Sequence, residues 1–114
     1  MLSDVQLRDV LGEVQSGLQE IFGDRLHDTV LFGSYARGDQ DEESDVDIMA
    51  IVDMNSEDLS HYRRRVSHFS SNFDLQYDVL FSITLQDLAT FQQYSSALPF
   101  FQNVIREGVS FVQQ

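Results

Sequence analysis

Six carboxylates fall within the nine residues from Asp39 to Asp47, immediately after a Gly33-Ser34 pair, in the string "GSYARGDQDEESDVDI". Two like charges about 4 Å apart near a protein surface repel by about 4 kcal/mol. Such a run is therefore either a solvated loop or the seat of a cation. Asp39, Asp41, Glu42 and Glu43 read as solvated loop, whereas Asp45 and Asp47 lie at the head of an apolar strand pattern. Two residues apart on a strand, their carboxylates leave one face about 6.6 Å apart along the chain. A third acid, Asp78, stands in "DLQYDVLFSI" at a position where an apolar residue would cost less. A charge buried there needs a counter-ion.

A hard divalent cation suits this set. Magnesium takes oxygen ligands, commonly one or two carboxylates together with substrate phosphates. Two ions about 3.5–4 Å apart could clamp both oxygens of an in-line phosphoryl displacement. Gly33 allows close approach of the backbone to a ligand, and the exposed N–H groups after it attract phosphate. Arg37 could reach a nucleotide phosphate or pair with the neighbouring acidic loop. An EF-hand calcium loop is the rival reading. It fails from Asp39 or Asp41, where Ser44 or Val46 replaces the turn glycine and Ala50 or Val52 replaces the closing glutamate.

The elements that would position these groups follow from periodicity. Ser3 and Gln6 form a capping box, and Leu7, Leu11, Val14, Leu18, Ile21 and Phe22 mark one helical face up to Gly23. Thr29 to Phe32 reads as a short buried strand. "SDVDIMAIVD" is a second, with Val46, Ile48, Ala50 and Val52 on one side. Residues 56–73 read as helical. "DLQYDVLFSI" reads as a third strand, with Leu75, Tyr77, Val79 and Phe81 alternating against Gln76, Asp78, Leu80 and Ser82. Thr84 and Asp87 point to a further capped helix, and Pro99 suits the first turn of a last one ending at Gly108. "VSFV" is left as a closing strand. The expected fold class is α/β (α+β), a small mixed sheet flanked by helices in one domain over residues 1–114.

Composition excludes other classes. The net charge is −12, from 19 acidic and 7 basic residues, all of the latter arginine. Such a surface repels nucleic acid and favours a basic partner or metal ions. With no lysine there is no P-loop, and with no cysteine there is neither a disulfide framework nor a zinc-thiolate site. No apolar run reaches a membrane span and the amino end lacks a signal-peptide pattern, so a soluble cytoplasmic protein is expected. The arginine run 63–65 reads as an exposed helix segment. His27, His61 and His68 show no metal-ligand spacing, and Phe91, Tyr94, Phe100 and Phe101 read mainly as core.

Gly33-Ser34, then Asp45-x-Asp47, resembles the signature of the DNA polymerase β-like nucleotidyltransferase superfamily. The fuller string "GSYARG…SDVDI", with Asp78 in "YDVLF" and the ending "PFFQNVIREGVSFV", is similar to its minimal nucleotidyltransferase (MNT) branch over roughly Leu18 to Val112. The resemblance implies a polymerase β-like fold and transfer of AMP from ATP to a hydroxyl. Asp45, Asp47 and Asp78 would be catalytic and metal-binding with two Mg²⁺, while Gly33, Ser34 and Arg37 hold nucleotide. In pairs with HEPN toxins, the MNT partner is an antitoxin that adenylylates a toxin tyrosine. Two alternatives stand beside this: a toxin-binding module without catalysis, and a small-molecule (aminoglycoside-type) nucleotidyltransferase.

Overall fold

The computed structural model describes residues 1–111. Helix α1, Asp4–Phe22, begins as its capping box predicts: the Ser3 hydroxyl accepts from the Gln6 N–H at 3.1 Å, and the Gln6 side chain accepts from the Ser3 N–H at 3.0 Å. Of its predicted face, Val14, Leu18 and Phe22 are buried and Leu7, Leu11 and Ile21 half-buried, while Val10, outside that reading, is buried as well. Gly17 has a packing role there, since any Cβ would collide with the ring of Phe69.

Strand β1, Leu26–Phe32, begins three residues before the segment read from sequence. A four-residue turn of helix follows (α2, Ser34–Arg37), then strand β2, Val46–Val52. Helices α3 (Ser56–Ser60) and α4 (Arg63–Tyr77) lead to β3 (Phe81–Asp87), α5 (Leu88–Tyr94), α6 (Pro99–Glu107) and β4 (Val109–Ser110). The expected closing strand is thus confined to two residues, and Val112 lies outside the described residues.

The sheet order is β3-β2-β1-β4, with β2 parallel to β3 and antiparallel to β1, and β4 antiparallel to β1. Because side chains alternate along a strand, β2 divides two cores. Val46, Ile48, Ala50 and Val52 pack with α1 and with Val66 and Phe73 of α4. Met49 and Ile51 face the other way, against Val30 and against Phe101 and Val104 of α6. Burial on both faces explains the near-continuous apolar run of β2. The mixed α/β class read from sequence is the observed one. Among the described residues no helix is long and apolar enough to cross a membrane.

Two expectations are corrected. The "DLQYDVLFSI" strand does not begin at Asp74: α4 continues through Tyr77, and β3 starts only at Phe81. The helix wins because Val66, Phe69, Phe73 and Tyr77 keep a three- and four-residue spacing against the core, while Leu75 is left 86% exposed. Similarly, Thr84 does not cap α5. It lies within β3 opposite Met49, and the Asp87 carboxylate takes the cap, accepting from the Thr90 N–H at 2.9 Å.

Candidate active site

The end of β1 and the start of β2 meet at one end of the sheet, between its two central strands, where Phe32 is paired with Asp47. The chain turns at Gly33, whose φ of 75° lies in the left-handed region. A Cβ at Gly33 would push the Asp47 carboxylate aside, and the positive φ is one that glycine adopts without strain. The tight turn after it is closed by the Gly33 carbonyl, which accepts from the N–H groups of Ala36 and Arg37, each at 3.1 Å. The amides of Ser34 and Tyr35 precede that pattern, as the first amides of any helical turn do. Tyr35 is buried, and its hydroxyl accepts from the Leu2 N–H at 3.2 Å, tying the turn to the amino end.

Asp47 is half-buried on the α6 side of the sheet, while Asp45, two residues earlier at the strand mouth, is exposed. The Asp47 carboxyl is pushed above the usual carboxylate range, first by burial and then by the negative charge of Asp45; Arg37 pulls it partly back. A bound cation would relieve both effects. Oxygen donors of this kind fit a hard divalent ion that completes its shell with phosphate oxygens and water. Among the described residues, no three acidic or histidine side chains converge into a metal-binding group.

Arg37 is drawn away from the turn into two exposed ion pairs, with Asp39 at 3.2 Å and Glu107 at 3.3 Å. These carboxylates raise its already high pKa. Exposed pairs of this sort are worth about 0–1 kcal/mol, so the guanidinium remains free to exchange partners. Glu107, the last residue of α6, carried no signal in sequence; it reaches the loop only through the sheet's folding. The acidic loop is ordered by its own hydrogen bonds. Asp41 accepts from the Glu43 N–H at 2.9 Å, and the Ser44 hydroxyl accepts from the Asp41 N–H at 3.0 Å.

Asp78 is not mid-strand. It caps α4 in the left-handed conformation (φ 54°, ψ 39°), with its N–H bonded to the Asp74 carbonyl, and it is exposed. Among the described residues, Asp78 forms no three-membered metal-binding group with Asp45 and Asp47. Gly33, Ser34, Asp45 and Asp47 are therefore brought together, Arg37 stands beside them, and Asp78 does not join them. His27, His61, His68 and Arg63 to Arg65 are exposed. Of the aromatic group, Phe101 is buried and Phe91 stacks edge-on to it at 5.1 Å, whereas Phe100 and Tyr94 are exposed. A cleft of about 850 Å³ lined by Phe22, Arg25, Met54 and Tyr62 opens at the other end of β2, away from the aspartates.

Comparison with known proteins places this geometry. A family described as a nucleotidyltransferase domain matches residues 11–102. Two proteins of Methanocaldococcus jannaschii, both described as putative protein adenylyltransferases, are similar to the chain. One is 35% identical over 78 residues, spanning 68% of this chain and 77% of the relative. The other is 30% identical over 96 residues, spanning 84% and 88%. The fold is shared with a toxin–antitoxin crystal structure containing AMP-PNP, at TM-score 0.52 and 22% identity, over 90% of this chain and 73% of that one. It is shared as well with a Sulfolobus solfataricus structure assigned as a nucleotidyltransferase, at TM-score 0.50 and 23% identity, over 92% and 75%. The match over residues 11–102, which contains the glycine turn packed on Asp47, makes this chain a member of the nucleotidyltransferase-domain family.

Proposed function

We propose that the chain transfers AMP from ATP, with Mg²⁺, to a hydroxyl of a partner protein, and that the acceptor is a tyrosine of a HEPN-type toxin which it silences as antitoxin. The observation that carries the reading is the seating of the Gly33 turn on the Asp47 carboxylate, with the Asp45 charge near enough to push that carboxyl's pKa up. The turn at Gly33-Ser34 offers its leading amides to the triphosphate, and Arg37 can leave its surface partners to meet a phosphate. Asp45 and Asp47 hold the cation, which when bound neutralises phosphate charge. In the transfer, the acceptor hydroxyl gives its proton to solvent, its oxygen bonds to the α-phosphorus and the α–β bridging bond breaks, with its electron pair leaving on pyrophosphate. The descriptions of the archaeal relatives as protein adenylyltransferases support a protein acceptor, and the toxin–antitoxin neighbour supports the pairing.

The test is incubation of the chain with α-labelled ATP, Mg²⁺ and a purified HEPN-type toxin, read by label transfer and intact mass. A toxin mass gain of one or more AMP units is expected. Transfer undiminished in the Asp45→Asn/Asp47→Asn double variant would sink the reading. Inhibition of the toxin by that variant without ATP would instead place antitoxin action in contact alone.

A further inference from the structure

We infer that the site binds a single divalent cation with its nucleotide, because the position where a third carboxylate would complete a two-ion site is occupied by Ser82. The inference rests on the nucleotidyl-transfer reading above and concerns the number of ions that reading requires. Strand β3 lies parallel to β2 with Ser82 in register with Asp47. Neighbouring strands run about 4.8 Å apart, so Ser82 is the nearest β3 position on Asp47's face. Phe81 and Leu85 enter the α4-side core, which turns Ser82, Thr84 and Gln86 toward Asp47's side. All three are uncharged.

Among the described residues, the acids of the α4–β3 joint form no three-membered metal-binding group with Asp45 and Asp47. Asp78 terminates a helix that packs on the opposite face, with its own backbone in the left-handed region. Asp74 spends one carboxylate oxygen on the Phe81 N–H at 2.7 Å, a bond that fixes where β3 begins. Two aspartates and a triphosphate can satisfy one octahedral ion. A second ion 3.5–4 Å away would have only those same two carboxylates to share, with a neutral hydroxyl at its remaining corner. Ser82 thus sets the ion count.

The experiment measures Mn²⁺ bound per AMP-PNP retained, by equilibrium dialysis with the free ion read by electron paramagnetic resonance. One ion per nucleotide is expected for the wild-type chain and for Asp78→Asn, with Mn²⁺ affinity in that variant within twofold of wild type. Ser82→Asp, or Ser82→Glu should the shorter variant misfold, is expected to raise the count to two. Two ions in the wild type overturn the inference, as does a fall in count or a tenfold loss of affinity in Asp78→Asn. A count that stays at one in both folded Ser82 variants overturns the assignment to Ser82. Failure of the wild-type chain to retain AMP-PNP at all would remove the nucleotidyl-transfer reading and this inference with it, whereas two bound ions would remove this inference alone.

Discussion

Asp47 and Asp78 sit in local strings of nearly the same kind, "SDVDIM" and "QYDVLF", yet one lines a sheet and the other caps a helix. The aspartates do not decide this; their flanks do. Around Asp47, six of the seven strand positions are apolar and both faces are buried, which only a central strand can use. Upstream of Asp78, the apolar residues return every three or four positions, and extending α4 to Tyr77 keeps Phe73 in the core beside Phe81. Placing an L-residue in the left-handed region costs about 1–2 kcal/mol. Burying one phenylalanine contributes about 1.5–3 kcal/mol, so the strained cap is the smaller term. The consequence is that an aspartate before an apolar pair becomes a strand residue beside the Gly33 turn in one place and a helix stop in the other.

The contrast can be broken at four positions. Asp47→Asn is expected to have the largest effect, a fall in label transfer of at least about 10³-fold, or ~4 kcal/mol of barrier, with the fold intact by circular dichroism. Gly33→Ala comes next. A Cβ in left-handed backbone against the Asp47 carboxylate should cost about 1–3 kcal/mol in urea denaturation. Displacing the carboxylate should also slow transfer by about 10–100-fold. A normal rate in a folded Gly33→Ala protein would show that the contact has no bearing on the chemistry.

Asp74→Ala tests the other region. Leaving the Phe81 N–H without its acceptor should lower stability by about 1–2 kcal/mol, while label transfer by the folded fraction stays within about threefold of wild type. Smallest of all, Asp78→Gly should leave transfer within about twofold and raise stability by about 0.5 kcal/mol, the relief of left-handed strain less the glycine's added chain entropy. A large loss of transfer in Asp78→Gly, with stability preserved, would return that aspartate to the site.

Much of the fold was legible because its signals are local. The Ser3–Gln6 box, the apolar stripe of α1, the run of β2 and Pro99 at the first position of α6 each depend on residues within one or two turns. The Gly33-Ser34 and Asp45-x-Asp47 pairs were legible as well, being separated by a single loop. What failed was the joint between α4 and β3, where a period of two and a period of 3.6 both fit over a few residues. Leu75 looked like a core position under strand alternation, and the structure leaves it 86% exposed. The pairing of Arg37 with Glu107, 70 residues away, had no local sign.

Residue order alone determined the chemistry on offer: an all-arginine, strongly acidic chain with a glycine turn feeding two aspartates onto one strand face. That much follows from φ freedom at glycine and from the two-residue period of a strand, both properties of a few consecutive residues. Tertiary structure decided which further acid could stand beside them. Strand register set Ser82 against Asp47, and continuation of α4 through Tyr77 made Asp78 a helix cap instead of a strand residue. Register and layer are outcomes of long-range burial, and no short string of residues encodes them.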